Sequence, residues 1–198
     1  MFSFISRNVQ PGSRILEIGG GDSRILQYFK DEYQCWNLDK LEGVGNGPKT
    51  LADKEYKIVQ DYIGNFNSDL PDNYFDLVFS ISALEHVPLD DESVFKDILS
   101  DINRLLKPGG LSVHCIDHTT DLLLGTVDEV WTNPLILYFF ENETVINKFI
   151  PLKETEEDPD LFVVSEKFYN EYWKPVTNVP YEEFGKPFSY NLLWKRNN

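Results

Sequence analysis

The sequence predicts an α/β fold in which helices cover both faces of a doubly wound, mostly parallel sheet. Three observations indicate it: short apolar runs alternate with helical segments, the first run ends in a glycine cluster, and a later run is apolar on both faces. Such alternation is typical of βαβ units. The 198 residues suffice for one domain with its own core. We therefore predict a single domain over residues 1–198.

The first strand is predicted at Arg14–Ile18, where the sequence is RILEI. The cluster Gly19–Gly21 follows at once, and Asp22–Asp31 then carries apolar residues at helical spacing. A strand, a tight turn and a helix are therefore expected in that order. A backbone without side chains in such a turn can approach a ligand closely, although glycine-rich turns also occur as ordinary tight turns.

Two short strands are predicted next, each closed by an acid. Cys35–Leu38 precedes Asp39, and Lys57–Gln60 precedes Asp61. An acid at the end of the second strand can accept hydrogen bonds from both hydroxyls of a ribose, and Tyr62 could stack on a base. Exposed acids at strand ends are the alternative. Taken with the glycine cluster, the acids predict a nucleotide-like ligand at the carboxyl edge of the sheet.

The fourth strand is predicted at Phe75–Ile81, which is nearly all apolar, as in a strand buried on both faces. The clearest helix is predicted over Asp91–Leu106, where apolar residues repeat every three to four positions. Pro108–Gly110 ends that helix, and a fifth strand is expected at Leu111–Ile116. This part of the chain continues the alternation of strand and helix.

The alternation stops at residues 119–160, a segment rich in aromatic residues that ends in a run of acids. We predict an inserted cap there, followed by a solvated loop. Two further strands are expected at Leu161–Ser165 and Ser189–Trp194, which brings the predicted total to seven.

Composition excludes several classes of function. The chain carries 18 Lys and Arg against 33 Asp and Glu, a formal net charge of -15, and such a surface repels nucleic-acid phosphates and anionic lipids. It has neither a long apolar run nor the apolar core of a signal peptide. We expect a cytoplasmic protein that binds no nucleic acid and no membrane, with Cys35 and Cys115 as free core thiols.

Four motifs give the sequence a specific resemblance. They are RILEIGGGDS at Arg14–Ser23, NLDK at Asn37–Lys40, FDLVFSISALEHVP at Phe75–Pro88 and RLLKPGGLS at Arg104–Ser112. In order and spacing they resemble the motifs of class I S-adenosylmethionine-dependent methyltransferases, especially the small-molecule branch, type 11. The resemblance covers about residues 13–118 and implies a Rossmann-like sheet of seven strands whose last strand is antiparallel.

The resemblance also implies S-adenosylmethionine as cofactor, a small-molecule acceptor and no metal. Glu17 would organise the glycine loop and the methionine end of the cofactor, Asp39 would bind the ribose, and Asp61 would approach the adenine. The residues that the resemblance assigns to the cofactor are Glu17, Gly19, Gly21, Asp39, Asp61, Tyr62, Ser80 and Ile81.

Methyl transfer requires no dedicated catalytic residue, but a base would help to remove the proton of a hydroxyl acceptor, and histidine is the usual choice at neutral pH. His118, beside Asp117 at the end of the fifth strand, is the candidate general base. A strand-end histidine bonded to a following threonine is the alternative. His86, in LEHVP, is expected to support the pocket wall, and His114, inside the strand, to be a core residue. Their spacing does not indicate a metal site.

The chain departs from the family pattern at two places. Ser23 occupies the position of a third small residue that is often glycine. About a dozen residues precede the first strand, where many relatives carry covering helices, so residues 119–160 are expected to supply the cover. Trp131, Tyr138 and Phe139 would then line an acceptor pocket or form a homo-oligomer interface, and the sequence favours neither.

Two other functions compete. A nicotinamide-dependent dehydrogenase shares the opening strand, turn and helix, but its fingerprint requires glycine at the position of Arg24. A methyltransferase-like binding or scaffolding subunit without catalysis is the second alternative, although such a subunit would have no chemical need for Glu17 and Asp39. The acceptor, with a hydroxyl of a sugar or other metabolite as one candidate, and the choice of O-, N- or C-methylation are left open.

Overall fold

The computed structural model describes residues 1–43, 47–88, 91–119, 134–143, 162–184 and 187–197. Its strands are β1 (Arg14–Ile18), β2 (Gln34–Leu38), β3 (Lys57–Val59), β4 (Phe75–Ile81), β5 (Leu106–Thr119) and β6 (Pro187–Lys195). They form one sheet in the order β3-β2-β1-β4-β5-β6. Strands β1 to β5 are parallel, and β6 runs antiparallel to β5, so the predicted Rossmann-like architecture is confirmed.

Helices connect these strands and cover both faces of the sheet. Among the described residues, no helix is both long enough and apolar enough to cross a membrane. The helices are α1 (Phe2–Asn8), α2 (Arg24–Phe29), α3 (Glu92–Leu105), α4 (Pro134–Asn142), α5 (Glu166–Phe168), α6 (Lys174–Thr177) and α7 (Tyr181–Phe184), with a 3-10 turn at Leu84–His86 and a π turn at Tyr169–Trp173.

Strand β4 lies at the centre of the core, as its apolar sequence predicts. Leu77 and Phe79 pack on the face that α1 and α2 cover, whereas Val78 packs on the face that α3 and α4 cover. All three side chains are fully buried. Residues that alternate along a strand point to opposite faces, so an apolar run of this kind requires a cover on both sides.

The end of the sheet differs from the sequence-based prediction. The structure contains six strands among its described residues, where seven were predicted. Residues 162–165 form no strand, because Ser165 caps α5 by accepting a hydrogen bond from Phe168 N–H and the chain turns into the helix. One backbone hydrogen bond, from Val164 N–H to the Pro187 carbonyl at 2.6 Å, still ties this segment to the start of β6.

The cap predicted over residues 119–160 is described only at α4, and Trp131 lies outside the described residues. Phe139 is fully buried, with its ring centroid 5.3 Å from that of Trp194, and Tyr138 lies against Phe95 of α3. Phe139 is therefore part of the core of this chain. Whether the rest of residues 119–160 forms a lid over the acceptor or an interface between subunits stays a prediction.

Candidate functional site

The glycine loop follows β1 and is fixed to the end of β2 by its own backbone. Gly19 N–H donates to the Leu38 carbonyl at 2.8 Å and Gly20 N–H to Asn37 Oδ1 at 3.2 Å. Gly21 N–H donates to Asp39 Oδ2 at 2.8 Å. The Asn37 amide, which is fully buried, also donates to the Gly21 carbonyl at 2.9 Å. All three glycine N–H groups thus have partners inside the protein.

Gly19 allows the loop to contact the turn after β4. Its φ is +66°, and a Cβ added to it would lie 2.5 Å from the Cβ of Ala83, closer than side chains approach each other. The left-handed conformation and this contact both require glycine. Because Ala83 precedes the 3-10 turn, the contact joins the glycine loop to the segment that carries Glu85.

Glu17 lies beneath the loop at the end of β1. Its side chain is 4% exposed, and its carboxylate accepts a hydrogen bond from the Ser23 hydroxyl. Burial raises the pKa of Glu17 to about 7, the Ser23 hydrogen bond opposes this rise, and the charge of Asp39 adds to it. The same Ser23 oxygen accepts the Leu26 N–H at 2.9 Å as the N-cap of α2. Ser23 therefore links the buried acid to the helix.

Asp39 lies at the end of β2, half-buried at the carboxyl edge of the sheet. Its Oδ2 accepts Gly21 N–H, and its Oδ1 accepts Leu41 N–H at 2.7 Å. Each carboxylate oxygen keeps a lone pair after one such bond. The carboxylate can therefore hold the loop and still accept hydrogen bonds from a ligand.

Asp61 organises the loop after β3. It accepts Tyr62 N–H at 2.8 Å and the side-chain amides of Asn65 and Asn67, each at 2.7 Å. The hydrogen bond from Asn67 is the main cause that lowers the pKa of Asp61. The Tyr62 ring is 48% exposed, its hydroxyl donates to Glu42, and Lys40 Nζ lies 5.5 Å from the ring centroid.

Two residues of α3 that were not singled out from the sequence support this loop. Asp101, which is 1% exposed, accepts Gly64 N–H at 2.9 Å and Phe66 N–H at 3.2 Å. Arg104 pairs with Asp101 and donates to the Leu70 carbonyl at 2.8 Å and to Asp72. An acid and an arginine three residues apart on a helix usually form a solvent-exposed ion pair. Nothing in the sequence therefore indicates that Asp101 and Arg104 support a loop, and their role is visible only from their contacts in the structure.

The prediction that His114 is a core residue is confirmed. Its Nδ1 lies 2.8 Å from the Ser80 hydroxyl, and its Nε2 lies 2.8 Å from the Ser112 hydroxyl. All three side chains are fully buried, and burial lowers the pKa of His114 to about 3. The imidazole is therefore neutral at pH 7, and it joins β4 to β5. The Ser80 hydroxyl is engaged here, and Ser80 is paired within the sheet with Ile18 of β1 and His114 of β5.

A pair of acids that the sequence did not indicate lies where β4 and β5 end. The carboxyl groups of Glu85 and Asp117 interact electrostatically, and Glu85 Oε2 is buried without a hydrogen-bond partner among the described residues. Burial and the charge of Asp117 raise the pKa of Glu85 to about 8, and burial raises the pKa of Asp117. Burial of the two carboxyl groups therefore favours their protonated forms. The backbone of His118 follows Asp117 in β5, opposite Phe188, and its side chain lies outside the described residues. His86, next to Glu85, is exposed.

The edge of the sheet is thus lined by acids, and this arrangement limits what it can bind. Five acids lie near the carboxyl ends of the five parallel strands: Glu17, Asp39, Asp61, Glu85 and Asp117. Such an edge favours neutral or cationic ligands over phosphates. In the part of the chain that the structure describes, no three His, Cys, Asp or Glu side chains group closely enough to hold a metal ion.

The family model described as "Methyltransferase domain" matches residues 16–114, which contain the glycine loop and both acid-bearing turns. A ubiquinone/menaquinone biosynthesis C-methyltransferase of Cupriavidus pinatubonensis is 30% identical over 115 residues, 56% of this chain and 45% of the relative. A sterol 24-C-methyltransferase of Gibberella zeae is 32% identical over 112 residues, 52% of this chain and 27% of the relative. The chain spans less than half of either relative.

Among solved structures, phosphoethanolamine N-methyltransferase 2 of Haemonchus contortus, in complex with S-adenosyl-L-methionine, matches with a TM-score of 0.59 at 17% identity. The match covers 100% of this chain and 51% of that chain. At this level of identity the match supports the fold alone.

Proposed function

The chain belongs to the methyltransferase domain family, and on that basis we propose that it transfers a methyl group from S-adenosylmethionine to a small-molecule acceptor. Its relatives act at carbon or at nitrogen by their names, so the family leaves the acceptor atom open. A hydroxyl of a sugar or another metabolite is the acceptor that a strand-end base would serve best.

The observation that carries this proposal is the pairing of the glycine loop with β2. A loop that binds a pyrophosphate directs free backbone N–H groups at the phosphates. Here the three glycine N–H groups already donate hydrogen bonds within the protein. The acceptors of Gly19, Gly20 and Gly21 are the Leu38 carbonyl, Asn37 Oδ1 and Asp39 Oδ2. A cofactor without phosphates, with a sulfonium and an ammonium group, suits this loop and the acids around it, whereas a dinucleotide does not.

Each residue is proposed to act according to its position. Glu17 supports the loop beneath the methionine end of the cofactor, and Gly19 and Gly21 allow the cofactor a close approach. Asp39 accepts the ribose hydroxyls, and Tyr62 lies over the adenine. The loop held by Asp61 approaches the adenine amino group through its backbone, and Ile81, flanked by Ser80, contacts the methionine portion.

Bound S-adenosylmethionine supplies a methyl group on a sulfonium, which is its own leaving group. The protein has only to hold the acceptor in line with that methyl group, exclude water and accept a proton. As the acceptor atom bonds to the methyl carbon, the carbon–sulfur bond breaks, its electron pair stays on sulfur, and the acceptor proton passes to a base. His118, which follows Asp117 in the chain, is proposed as this base.

Replacing His118 by alanine is expected to reduce methyl transfer by about 100-fold, because loss of a general base costs at least that much. The measurement is turnover with a hydroxyl acceptor found by screening with methyl-labelled cofactor. His86→Ala is the matched control, since that side chain is exposed, and it should retain activity within about threefold. A His118→Ala rate within threefold of the parent would contradict this role and would indicate that the Glu85 and Asp117 pair accepts the proton. In that case Glu85→Gln should abolish methyl transfer.

The cofactor itself is tested by isothermal titration with S-adenosylmethionine, S-adenosylhomocysteine and NAD. We expect micromolar binding of both sulfur nucleosides and none of NAD. Binding of NAD alone would contradict the proposal and favour the dehydrogenase. No binding of any of the three would favour a methyltransferase-like scaffold that has lost its cofactor.

A further inference from the structure

The Ser23 hydroxyl is the least expected part of the loop, since it stands where the family pattern often has glycine. Ser23 is 4% exposed, as is Glu17, and its hydroxyl has two partners. It donates to the Glu17 carboxylate and accepts the first-turn N–H of Leu26. A hydroxyl has a single proton, so donation to Glu17 fixes its orientation. A glycine at this position would leave the Glu17 carboxylate without this donor.

Glu17 lies where a change in its charge would reach the loop. A Cβ added to Gly20 would lie 2.9 Å from the Glu17 carboxyl carbon, so the carboxyl group packs directly beneath the loop. A buried carboxyl that lacks a donor is neutral, and one that accepts hydrogen bonds is ionised more easily. The Ser23 hydrogen bond therefore influences the protonation state of the group under the ligand.

We propose that Ser23 is a positioning residue for the cofactor: by donating to Glu17, it favours the ionised form of that carboxyl and directs it at the loop, the state to which the cationic methionine end binds. This inference rests on the proposed function. Ser23 itself need not touch the cofactor, since it acts through Glu17.

The titration of Glu17 can be followed without interference from the buried thiol and phenol next to it. Among the described residues, the titratable side chains whose charges interact with it are Asp39 and Cys35 on β2 and Tyr56 before β3. Burial raises the pKa of Cys35 to about 12 and the pKa of Tyr56 to about 12, so both stay neutral below pH 9. The pKa of Glu17, about 7, lies in the middle of the usable range.

The charge of Glu17 determines how the affinity for the cofactor should change with pH. Below its pKa, Glu17 is protonated and has no charge to offer an ammonium group. Above it, Glu17 is ionised, so cofactor affinity should rise as the pH increases through about 7. A cation that binds the ionised form also expels the remaining proton, so at pH 7 binding should release about half a proton.

The test is isothermal titration with S-adenosylhomocysteine between pH 5.5 and 9, about 1.5 to 2 units on either side of the pKa, in buffers of different ionisation enthalpy. For Ser23→Ala we expect the midpoint to rise by about one pH unit. Affinity should then fall about fivefold at pH 7, recover to near the parent value at pH 9, and be accompanied by release of about 0.9 proton at pH 7. Ser23→Thr should restore the parent profile, because threonine keeps the hydroxyl.

Two variants separate this role from a structural one. Ser23→Gly removes the hydroxyl but costs the helix cap only a few tenths of a kcal/mol, so it should shift the midpoint as Ser23→Ala does. Glu17→Gln should abolish both the pH dependence and the proton release. An equal loss of affinity at every pH in Ser23→Ala, or a pH step that survives in Glu17→Gln, would overturn the inference and leave cofactor binding intact. No binding by the parent at any pH would overturn the proposed function as well.

Discussion

Replacing Asp39 by alanine is expected to weaken the binding of S-adenosylhomocysteine by about 1,000-fold, or about 4 kcal/mol. Two effects add. A ribose held by a carboxylate loses two charge-assisted hydrogen bonds, each of which contributes about 1.5 to 3 kcal/mol. The loop also loses the acceptor of Gly21 N–H and Leu41 N–H, so the turn that faces the ribose is held less firmly.

Isothermal titration of the variant measures this loss directly. Asp39→Asn should fall between the parent and Asp39→Ala, because its amide oxygen can still accept one of the two backbone N–H groups. Asp53→Ala is the matched control: that carboxylate is exposed in the segment before β3, and removing its charge should leave affinity within about twofold. If Asp39→Ala bound as tightly as the parent, the nucleoside would lie elsewhere and the proposed site would be wrong.

Replacing Asp101 by alanine is expected to lower the free energy of unfolding by about 3 kcal/mol, because it breaks a buried ion pair. Asp101 is the common acceptor of Gly64 N–H, Phe66 N–H and the Arg104 guanidinium. Its removal leaves Arg104 without its buried partner and frees two backbone donors of the loop that carries Asp61. A protein of this size should melt about 6 to 12 °C lower.

Chemical denaturation measures the loss, and a second variant on the same helix controls for it. Asp97 is exposed on α3, one turn before Asp101, so Asp97→Ala should change stability by less than about 0.5 kcal/mol. Asp101→Ala should also weaken S-adenosylhomocysteine binding by up to about tenfold, since only the adenine part of the site depends on the loop. A stability change below about 1 kcal/mol would mean that water replaces the carboxylate at little cost.

The part of the site that could be predicted from the sequence is the part made by local pattern. The strand, glycine turn and helix at residues 14–31 are encoded within a few neighbouring residues, and so are the acids that close β2 and β3. The position of His114 in the core also follows from its place inside an apolar strand. These features depend on strand period and turn chemistry, which a sequence displays directly.

The remainder depends on pairing between distant residues. Asp101 supports a loop about 35 positions earlier in the chain, and Glu85 meets Asp117 only because β4 and β5 are neighbours in the sheet. Nothing local distinguishes these acids from solvated ones. Residues 162–165, the described part of the strand predicted at Leu161–Ser165, form no strand for the opposite reason: the apolar pattern suits a strand, but the serine at its end caps a helix instead.

The hydrogen bonds of Asn37 have a consequence for how a ligand arrives. Because this side chain is buried and holds the loop at both Gly20 N–H and the Gly21 carbonyl, the turn takes its shape when β2 joins the sheet. The entropy lost in ordering the turn belongs to folding rather than to binding. A cofactor that binds at this turn as proposed would then have no further entropy cost for ordering it.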